Sequence, residues 1–178
     1  MNNWKSDLKN WKKISKDTAL FFLKQSEESL EETVNTFENY SNKTNQLLTI
    51  SISLSTISLG YFFDYGETNL VLKIAALLLT ILCFITILAL HKNLFFDKIG
   101  VKGSQPKQII KDKFFSNNLN SEEEYINIIL NECDKYQDRI DLNKIVNGKR
   151  KKRIKTATKL LLFIPLTIIL SKIITMFI

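Results

Sequence analysis

Three long apolar segments constrain this chain more than any other feature of its sequence. They span residues 47–63, 70–90 and 160–178, each 17 to 21 residues long, and only Lys73 and Lys172 carry a charge within them. A helix of about 20 apolar residues crosses the roughly 30 Å hydrocarbon core of a bilayer. The sequence therefore predicts an all-α membrane protein with three transmembrane helices, and it argues against a soluble globular fold.

The distribution of positive charge predicts how these segments are oriented. The chain has 25 Lys and Arg against 18 Asp and Glu, a formal net charge of +7. Residues 1–46 hold seven lysines and residues 91–159 hold sixteen Lys and Arg, whereas the 64–69 connection holds none. Short loops rich in Lys and Arg stay in the cytoplasm. We therefore expect an inner-membrane protein with residues 1–46 and 91–159 inside the cell, and with the 64–69 hairpin and the C-terminus at the outer face.

Two cytoplasmic segments have the spacing of packed helices. In residues 1–46, apolar and small side chains recur four and three residues apart, and a similar series follows a helix start at Ser121, where Glu124 would complete a capping box. The first series is Leu30, Val34, Phe37, Ser41, Thr44 and Leu48, and the second is Ile126, Ile129, Cys133, Tyr136 and Ile140. We expect these helices to pack in parallel as a coiled-coil-like stalk, and Asn147-Gly148 to end or bend the second one.

The first residues of the chain allow two interpretations. Trp4, Leu8 and Trp11 follow a helical spacing among several lysines. A basic amphipathic helix of this kind can lie on an anionic membrane surface. Alternatively, its apolar stripe packs on another helix of the chain, and this is the interpretation that we favour.

No residue pattern predicts catalysis, a metal ion or a cofactor. The chain lacks the common phosphate-binding, dinucleotide-binding, zinc-protease and serine-hydrolase motifs. The single histidine, His91, is expected at the cytoplasmic end of the second span, and Cys83 and Cys133 are expected in environments too different for a disulfide. Backbone N–H groups of residues 100–104 could cradle a phosphate, which is a minor alternative. We do not expect an enzyme.

A run of basic residues directly precedes the third apolar segment. Its position favours contact with the anionic headgroups of the inner leaflet, and it disfavours nucleic acid as the partner. The residues predicted to contact lipid are Lys149, Arg150, Lys151, Lys152, Arg153 and Lys155.

The first apolar segment carries small and hydroxylated side chains on two faces. At about 100° per residue, one stripe is Ser51, Ser55 and Ser58, and the stripe nearly opposite is Thr49, Ser53, Thr56 and Gly60. Such residues let helices approach closely in lipid. One stripe is expected to pack within the chain, and the other to meet a second copy or to line a pore. We expect leucines at Ser51, Ser55 and Ser58 to weaken the oligomer.

Lys172 must snorkel or find a partner such as Asp64.

Three short stretches carry a resemblance to a known family. They are residues 42–48 (NKTNQLL), residues 93–99 (NLFFDKI), and the helix that contains Glu123-Glu124-Tyr125, Asn143-Lys144-Ile145 and the segment from Lys152 to Leu161. Their order resembles the transmembrane effector family of bacterial Pycsar anti-phage defence (PycTM). The resemblance covers roughly residues 36–170. Thr44 stands where an alanine is common in the family, and residues 1–35 match no part of it.

The resemblance implies an antiviral defence effector that forms a homo-oligomer in the lipid bilayer. A cyclic nucleotide or another infection cue would trigger it to impair the inner membrane and to halt the infected cell, as in abortive infection. The alternative from another class is a non-lytic membrane anchor or adaptor, which recruits a cytoplasmic protein through the helical stalk.

Overall fold

The computed structural model describes residues 10–64, 69–95, 98–103 and 119–177. Over these residues the chain forms three α-helices, two short 3-10 helices and no strand. The elements are a 3-10 helix at Trp11–Lys13, α1 (Lys16–Phe62), α2 (Leu70–Leu90), a 3-10 helix at His91–Asn93, and α3 (Ser121–Phe177). The predicted all-helical class is confirmed.

Two helices of the described chain are long and apolar enough to cross a membrane. They are α2 together with the turn after it, and α3. The predicted span at 70–90 coincides with α2, and the one at 160–178 forms the last part of α3. The last part of α1, which corresponds to the predicted span at 47–63, is not among them, because its many hydroxyl side chains make it less apolar.

Polar side chains fix where α1 and α3 begin. Ser15 Oγ accepts the Thr18 N–H at 3.2 Å, and α1 therefore starts later than the sequence predicts. At α3, Asn120 Oδ1 accepts the Glu123 N–H at 2.8 Å and the Glu123 carboxylate accepts the Asn120 N–H at 3.2 Å. This capping box lies one residue before the predicted pair, Ser121 and Glu124.

The predicted interruption of α3 at Asn147-Gly148 is absent, since α3 continues through both residues to Phe177. Asparagine disfavours helices because its side chain competes for nearby backbone groups. Here the Asn147 Nδ2 donates instead to the Thr33 carbonyl at 2.8 Å, on α1. A bond to a neighbouring helix removes the competition that the sequence pattern assumes.

The chain divides into two compact units, each built from parts of α1 and α3. Unit 1 comprises Met1–Phe37 and Lys98–Asn147, and unit 2 comprises Glu38–Asp97 and Gly148–Ile178. The division within α3 falls between Asn147 and Gly148.

In unit 1, α1 and α3 pack in parallel, as predicted. Ala19 contacts the first buried residues of α3, Leu30 contacts Tyr136 and Ile140, and Thr33 is bonded to Asn143. The second predicted series is buried at every position: Ile126, Ile129, Cys133, Tyr136 and Ile140.

The N-terminal apolar stripe can be followed only in part. Trp11 and Ile14 pack against the cluster around Ala19, so Trp11 contacts the chain itself, as the favoured interpretation requires. Trp4 and Leu8 lie outside the described residues.

In unit 2, α2 runs antiparallel to α1 and α3. Leu48, Leu90 and Ala157 form one buried cluster, in which the start of the apolar part of α1 meets the end of α2. At the other end Tyr61 of α1 and Leu72 of α2 line the same cavity.

The exterior of unit 2 is more apolar than its interior. Only 22% of the most apolar stretch of α2 and 11% of that of α3 are buried. The buried residues are mostly small or hydroxylated: Ser51, Ser58, Ala76, Cys83, Thr86, Ala157 and Ser171. Large exposed side chains include Ile50, Ile52, Ile57, Leu78, Phe84, Leu88, Leu162, Phe163, Ile169 and Leu170. This distribution is the reverse of that in a water-soluble bundle.

Candidate functional site

Two arginines of the basic run form an inward polar network in unit 2. Arg150 is only 2% exposed. It donates to Ser41 Oγ at 2.8 Å and to the Phe95 carbonyl at 3.5 Å. Arg153 donates to Asn93 Oδ1 at 2.9 Å. An arginine can do this because its planar fork offers five donors in fixed directions.

Asn93 extends this network to α1. Its amide nitrogen donates to Thr44 Oγ1 at 3.2 Å, and the Thr44 hydroxyl donates to the Tyr40 carbonyl at 2.8 Å. Asn93 therefore adds a second side-chain link between α3 and α1 in unit 2, beside the direct bond from Arg150 to Ser41. The resemblance to the effector family included both Thr44 and Asn93 without indicating that they touch.

The prediction of lipid contact for the basic run is corrected for its arginines. Arg150 is buried and Arg153 is partly buried, because the helical period turns these two positions inward. The exposed members are Lys149, Lys151, Lys152 and Lys155. Within this run, arginines thus take the inward positions and lysines the outward ones, a difference that is visible in the sequence.

Unit 1 contains a second polar network, centred on Asn143. The side chain of Asn143 is fully buried, and its Nδ2 donates to Thr33 Oγ1 and to the Gly100 carbonyl, both at 2.9 Å. Its Oδ1 accepts the Gly100 N–H at 2.7 Å. The Gly100 N–H is thereby occupied, which contradicts its expected role in a phosphate cradle, and Ser104 lies outside the described residues.

A groove with several polar side chains on its wall lies between α1 and α3 in unit 1. It encloses about 370 Å³ and is lined by Phe22, Gln25, Ser26, Ser29, Cys133, Gln137, Ile140 and Lys144. Burial raises the pKa of the Cys133 thiol, and a hydrogen bond with Ser26 opposes this shift in part. The Gln25 and Gln137 amide nitrogens already donate to Glu28 and Asp141, both at 2.9 Å, so the Lys144 ammonium is the lining group that favours an anion. The sequence did not indicate this groove, because its lining comes from segments about 110 residues apart.

The two stripes of α1 have different surroundings. Ser51 and Ser58 are buried within the chain and Ser55 is partly buried, and the Ser51 hydroxyl donates to the Leu47 carbonyl at 2.8 Å. The expectation that this stripe serves self-association is therefore corrected, since it packs internally. The outward stripe is exposed along its whole length: Thr49, Ser53, Thr56 and Gly60.

Two further residues from the sequence analysis have clear positions. The His91 Nδ1–H donates to the Leu88 carbonyl, and the ring lies edge-on to Phe95, which gives this histidine a structural role. Lys172 is exposed, lines a cavity of unit 2, and forms no ion pair within the part of the chain that the structure describes, so the pairing with Asp64 is not found there.

The described residues also include two cysteines. Cys83 and Cys133 are both free and buried. Across residues 10–64, 69–95, 98–103 and 119–177, no group of His, Cys, Asp and Glu is placed to hold a metal ion. No protein family, no curated protein and no solved structure matches this chain.

Proposed function

We propose that the chain is an inner-membrane protein in which unit 2 crosses the bilayer with three helices. The observation that carries this proposal is the apolar exterior of unit 2 around a small and hydroxylated interior. In hydrocarbon, helices associate through close packing and hydroxyl bonds rather than through burial of large apolar residues. The exposed Ile50, Ile52 and Ile57 extend this exterior to α1, which therefore provides a span despite its hydroxyl groups.

Within the membrane, the chain acts as a defence effector that self-associates and impairs membrane integrity. The resemblance to the Pycsar membrane effectors suggests this function, and the outward stripe of α1 supports it. Small and hydroxylated side chains at a lipid-facing position let two helices approach closely, and a second copy of the chain supplies the same stripe. The groove of unit 1, with Lys144 on its wall, is the proposed site for a nucleotide second messenger or another infection cue.

A non-lytic adaptor is the second candidate. It is favoured by the adjacent Phe21 and Phe22 of unit 1, which are 58% and 37% exposed with ring centroids 6.2 Å apart. Exposed aromatic side chains of this kind are typical anchors of protein interfaces. In this case the membrane bundle would only hold the cytoplasmic unit in place.

Membrane potential in living bacteria distinguishes the two candidates. The full chain is expressed from an inducible promoter, with and without phage infection, and a voltage-sensitive dye is recorded. An effector depolarises the cells in at least one condition, and a variant with leucine at Thr49, Ser53 and Thr56 does not. If potential is unchanged in both conditions while the protein is present in the membrane fraction, the effector function is wrong and the adaptor stands.

A further inference from the structure

A cavity opens between the three helices of unit 2. It encloses about 330 Å³, a volume typical of small ligand sites, and its wall is mainly apolar. Small side chains leave this space open: Ser58, Ala75, Ala76, Cys83 and Ser171. Polar groups are concentrated towards one end of the bundle, where Tyr61, Ser171 and Lys172 line it.

Water is a poor occupant of most of this cavity. An ordered buried water needs two to four polar partners, and an apolar cavity stays dry without them. The leucine, isoleucine and alanine wall offers few partners away from the end that holds Lys172. An aliphatic chain matches this wall better than water does.

Lys172 gives the cavity a charge. It lies 13 residues after Lys159, about 20 Å along the helix. It lines the cavity together with Tyr61 and Leu72, which flank the 64–69 connection in the sequence. In the proposed membrane orientation, its ammonium therefore reaches the outer headgroup layer. A lysine inside a membrane segment usually has an anionic partner, and the described chain does not provide one.

We infer that this cavity binds an anionic phospholipid of the outer leaflet, with one acyl chain between the helices and the headgroup at Lys172. The inference rests on the proposed membrane embedding of unit 2. Basic pockets between transmembrane helices are known to select anionic headgroups. Charge at Lys172 and shape at Ala76 make separate contributions, so each can be removed without the other.

A neighbouring groove provides an internal control. It lies between α2 and α3, encloses about 190 Å³, and is lined by Val71, Ile74, Ala75, Leu78, Thr167, Leu170, Ser171 and Ile174. It has a similar apolar wall but no charged residue. It should hold lipid without preference for the headgroup.

Lipid retention by the purified full-length protein tests the inference. The protein is reconstituted in nanodiscs of phosphatidylglycerol and phosphatidylcholine, and bound lipid is counted by native mass spectrometry after mild release. We expect preferential retention of phosphatidylglycerol by the wild type. One lysine near the surface contributes about 1 kcal/mol to the binding of anionic lipid. Lys172→Gln should therefore lower the preference for phosphatidylglycerol about fivefold.

Matched variants distinguish this lipid site from nonspecific attraction between anionic lipid and exposed lysines. Lys159→Gln removes an exposed lysine from the same helix and should keep the preference, and Ile74→Phe alters only the neighbouring groove and should do the same. Ala76→Leu fills the cavity and should reduce retention of both lipids. Equal retention of the two lipids by the wild type, or an equal effect of Lys159→Gln and Lys172→Gln, overturns the inference. The lipid measurements do not involve membrane potential. A negative result would therefore overturn the lipid site without contradicting the proposed function.

Discussion

Asn143 of α3 forms hydrogen bonds with α1 and with the 98–103 segment of unit 1, although its neighbours such as Lys144 are exposed. Three hydrogen bonds connect it to Thr33 and Gly100. A buried amide in such a network is costly to remove, because its partners are left without water or protein partners. Asn143 thus fixes Gly100, while Arg139 and Glu31 hold the neighbouring Val101 and Lys102 of the 98–103 segment.

Asn143→Ala should destabilise unit 1 by about 3 kcal/mol, since the N–H and carbonyl of Gly100 lose their partner. Trp11 packs against the buried cluster around Ala19 in unit 1. Urea unfolding of the detergent-solubilised protein, followed by tryptophan fluorescence, therefore measures this loss. Asp138→Ala, at an exposed position on the same helix, is the control and should change stability by less than about 0.5 kcal/mol. Equal midpoints for the two variants would show that the network contributes nothing.

Gly100 shows why a single residue can escape sequence analysis. A Cβ atom at this position would collide with the Cβ and backbone of Arg139, whose Nη1 also donates to the Val101 carbonyl at 3.1 Å. Glycine is required here for close approach to α3 rather than for an unusual backbone angle. From the sequence the same residue indicated only a possible phosphate cradle, because nothing in the local pattern indicates a contact about 40 positions away.

The buried acids of unit 1 predict a loss of stability at alkaline pH. Burial raises the pKa of Cys133 above its ordinary value of 9.0, and burial followed by the charge of Glu27 raises the pKa of Tyr136 above 10.0. Both groups are neutral in the folded protein when the unfolded chain begins to ionise. Ionisation of these two groups therefore does not lower the free energy of unfolding until the pH approaches about 9, and it lowers this free energy increasingly at higher pH.

Urea midpoints measured by tryptophan fluorescence between about pH 7 and pH 10.5 test this dependence. Cys133→Ala removes the group that ionises first in the unfolded chain, so its decline should begin about one pH unit later, where tyrosine takes over. A variant whose midpoint falls with pH as steeply as that of the wild type would refute the assignment to Cys133. The comparison uses the slope, because the substitution also lowers stability at neutral pH.

At the scale of the helix, the last part of α1 turns serines inward. Leu30 is buried in unit 1, whereas Ser51 and Ser58 are buried in unit 2. The hydroxyl of Ser51 bonds the preceding turn of its own helix, which satisfies it without a partner. The inward stripe therefore allows close packing, and the outward stripe is the one left for another molecule.

Leucine substitutions distinguish the stripes. Replacing Ser51, Ser55 and Ser58 should lower stability by several kcal/mol, because each added side chain overpacks the interior. Replacing Thr49, Ser53 and Thr56 should leave the fold intact and shift the purified protein from oligomer to monomer, since interhelical hydroxyl bonds average about 0.6 kcal/mol each. Light scattering with size-exclusion chromatography in mild detergent measures the mass. If the wild type is monomeric at every concentration, or if the outward variant keeps the mass of the wild type, α1 does not mediate self-association.

The elements of this protein are predictable where local periodicity determines them. The buried series from Ile126 to Ile140 and the bounds of α2 follow from spacing and apolar length. The capping box of α3 shifts by one residue, because Asn120 and Ser121 are both good capping residues and only geometry decides between them. The networks of Asn93 and Asn143 could not be predicted, since their bonds join residues 43 to 110 positions apart.

At the scale of the whole molecule, lysine and arginine placement is the main guide to orientation. The basic residues of 1–46 and 91–159 flank the apolar segments, and the 64–69 connection has none. Burial of Arg150 and partial burial of Arg153 remove two charges from the surface of the basic run but leave four exposed lysines there. The predicted orientation is therefore unchanged, because the positive-inside rule counts Lys and Arg near the ends of the spans.

Orientation in the membrane is tested by labelling single cysteines in intact cells. In a chain with Cys83→Ser and Cys133→Ser, Glu67→Cys in the short hairpin should react with a membrane-impermeant maleimide applied from outside. Asn118→Cys, in the long basic segment, should react only after the membrane is permeabilised. The two positions share one background and one reagent, so each is the control for the other. Labelling of Asn118→Cys in intact cells, with Glu67→Cys protected, would invert the topology, and labelling of both before permeabilisation would place the two segments on the same side.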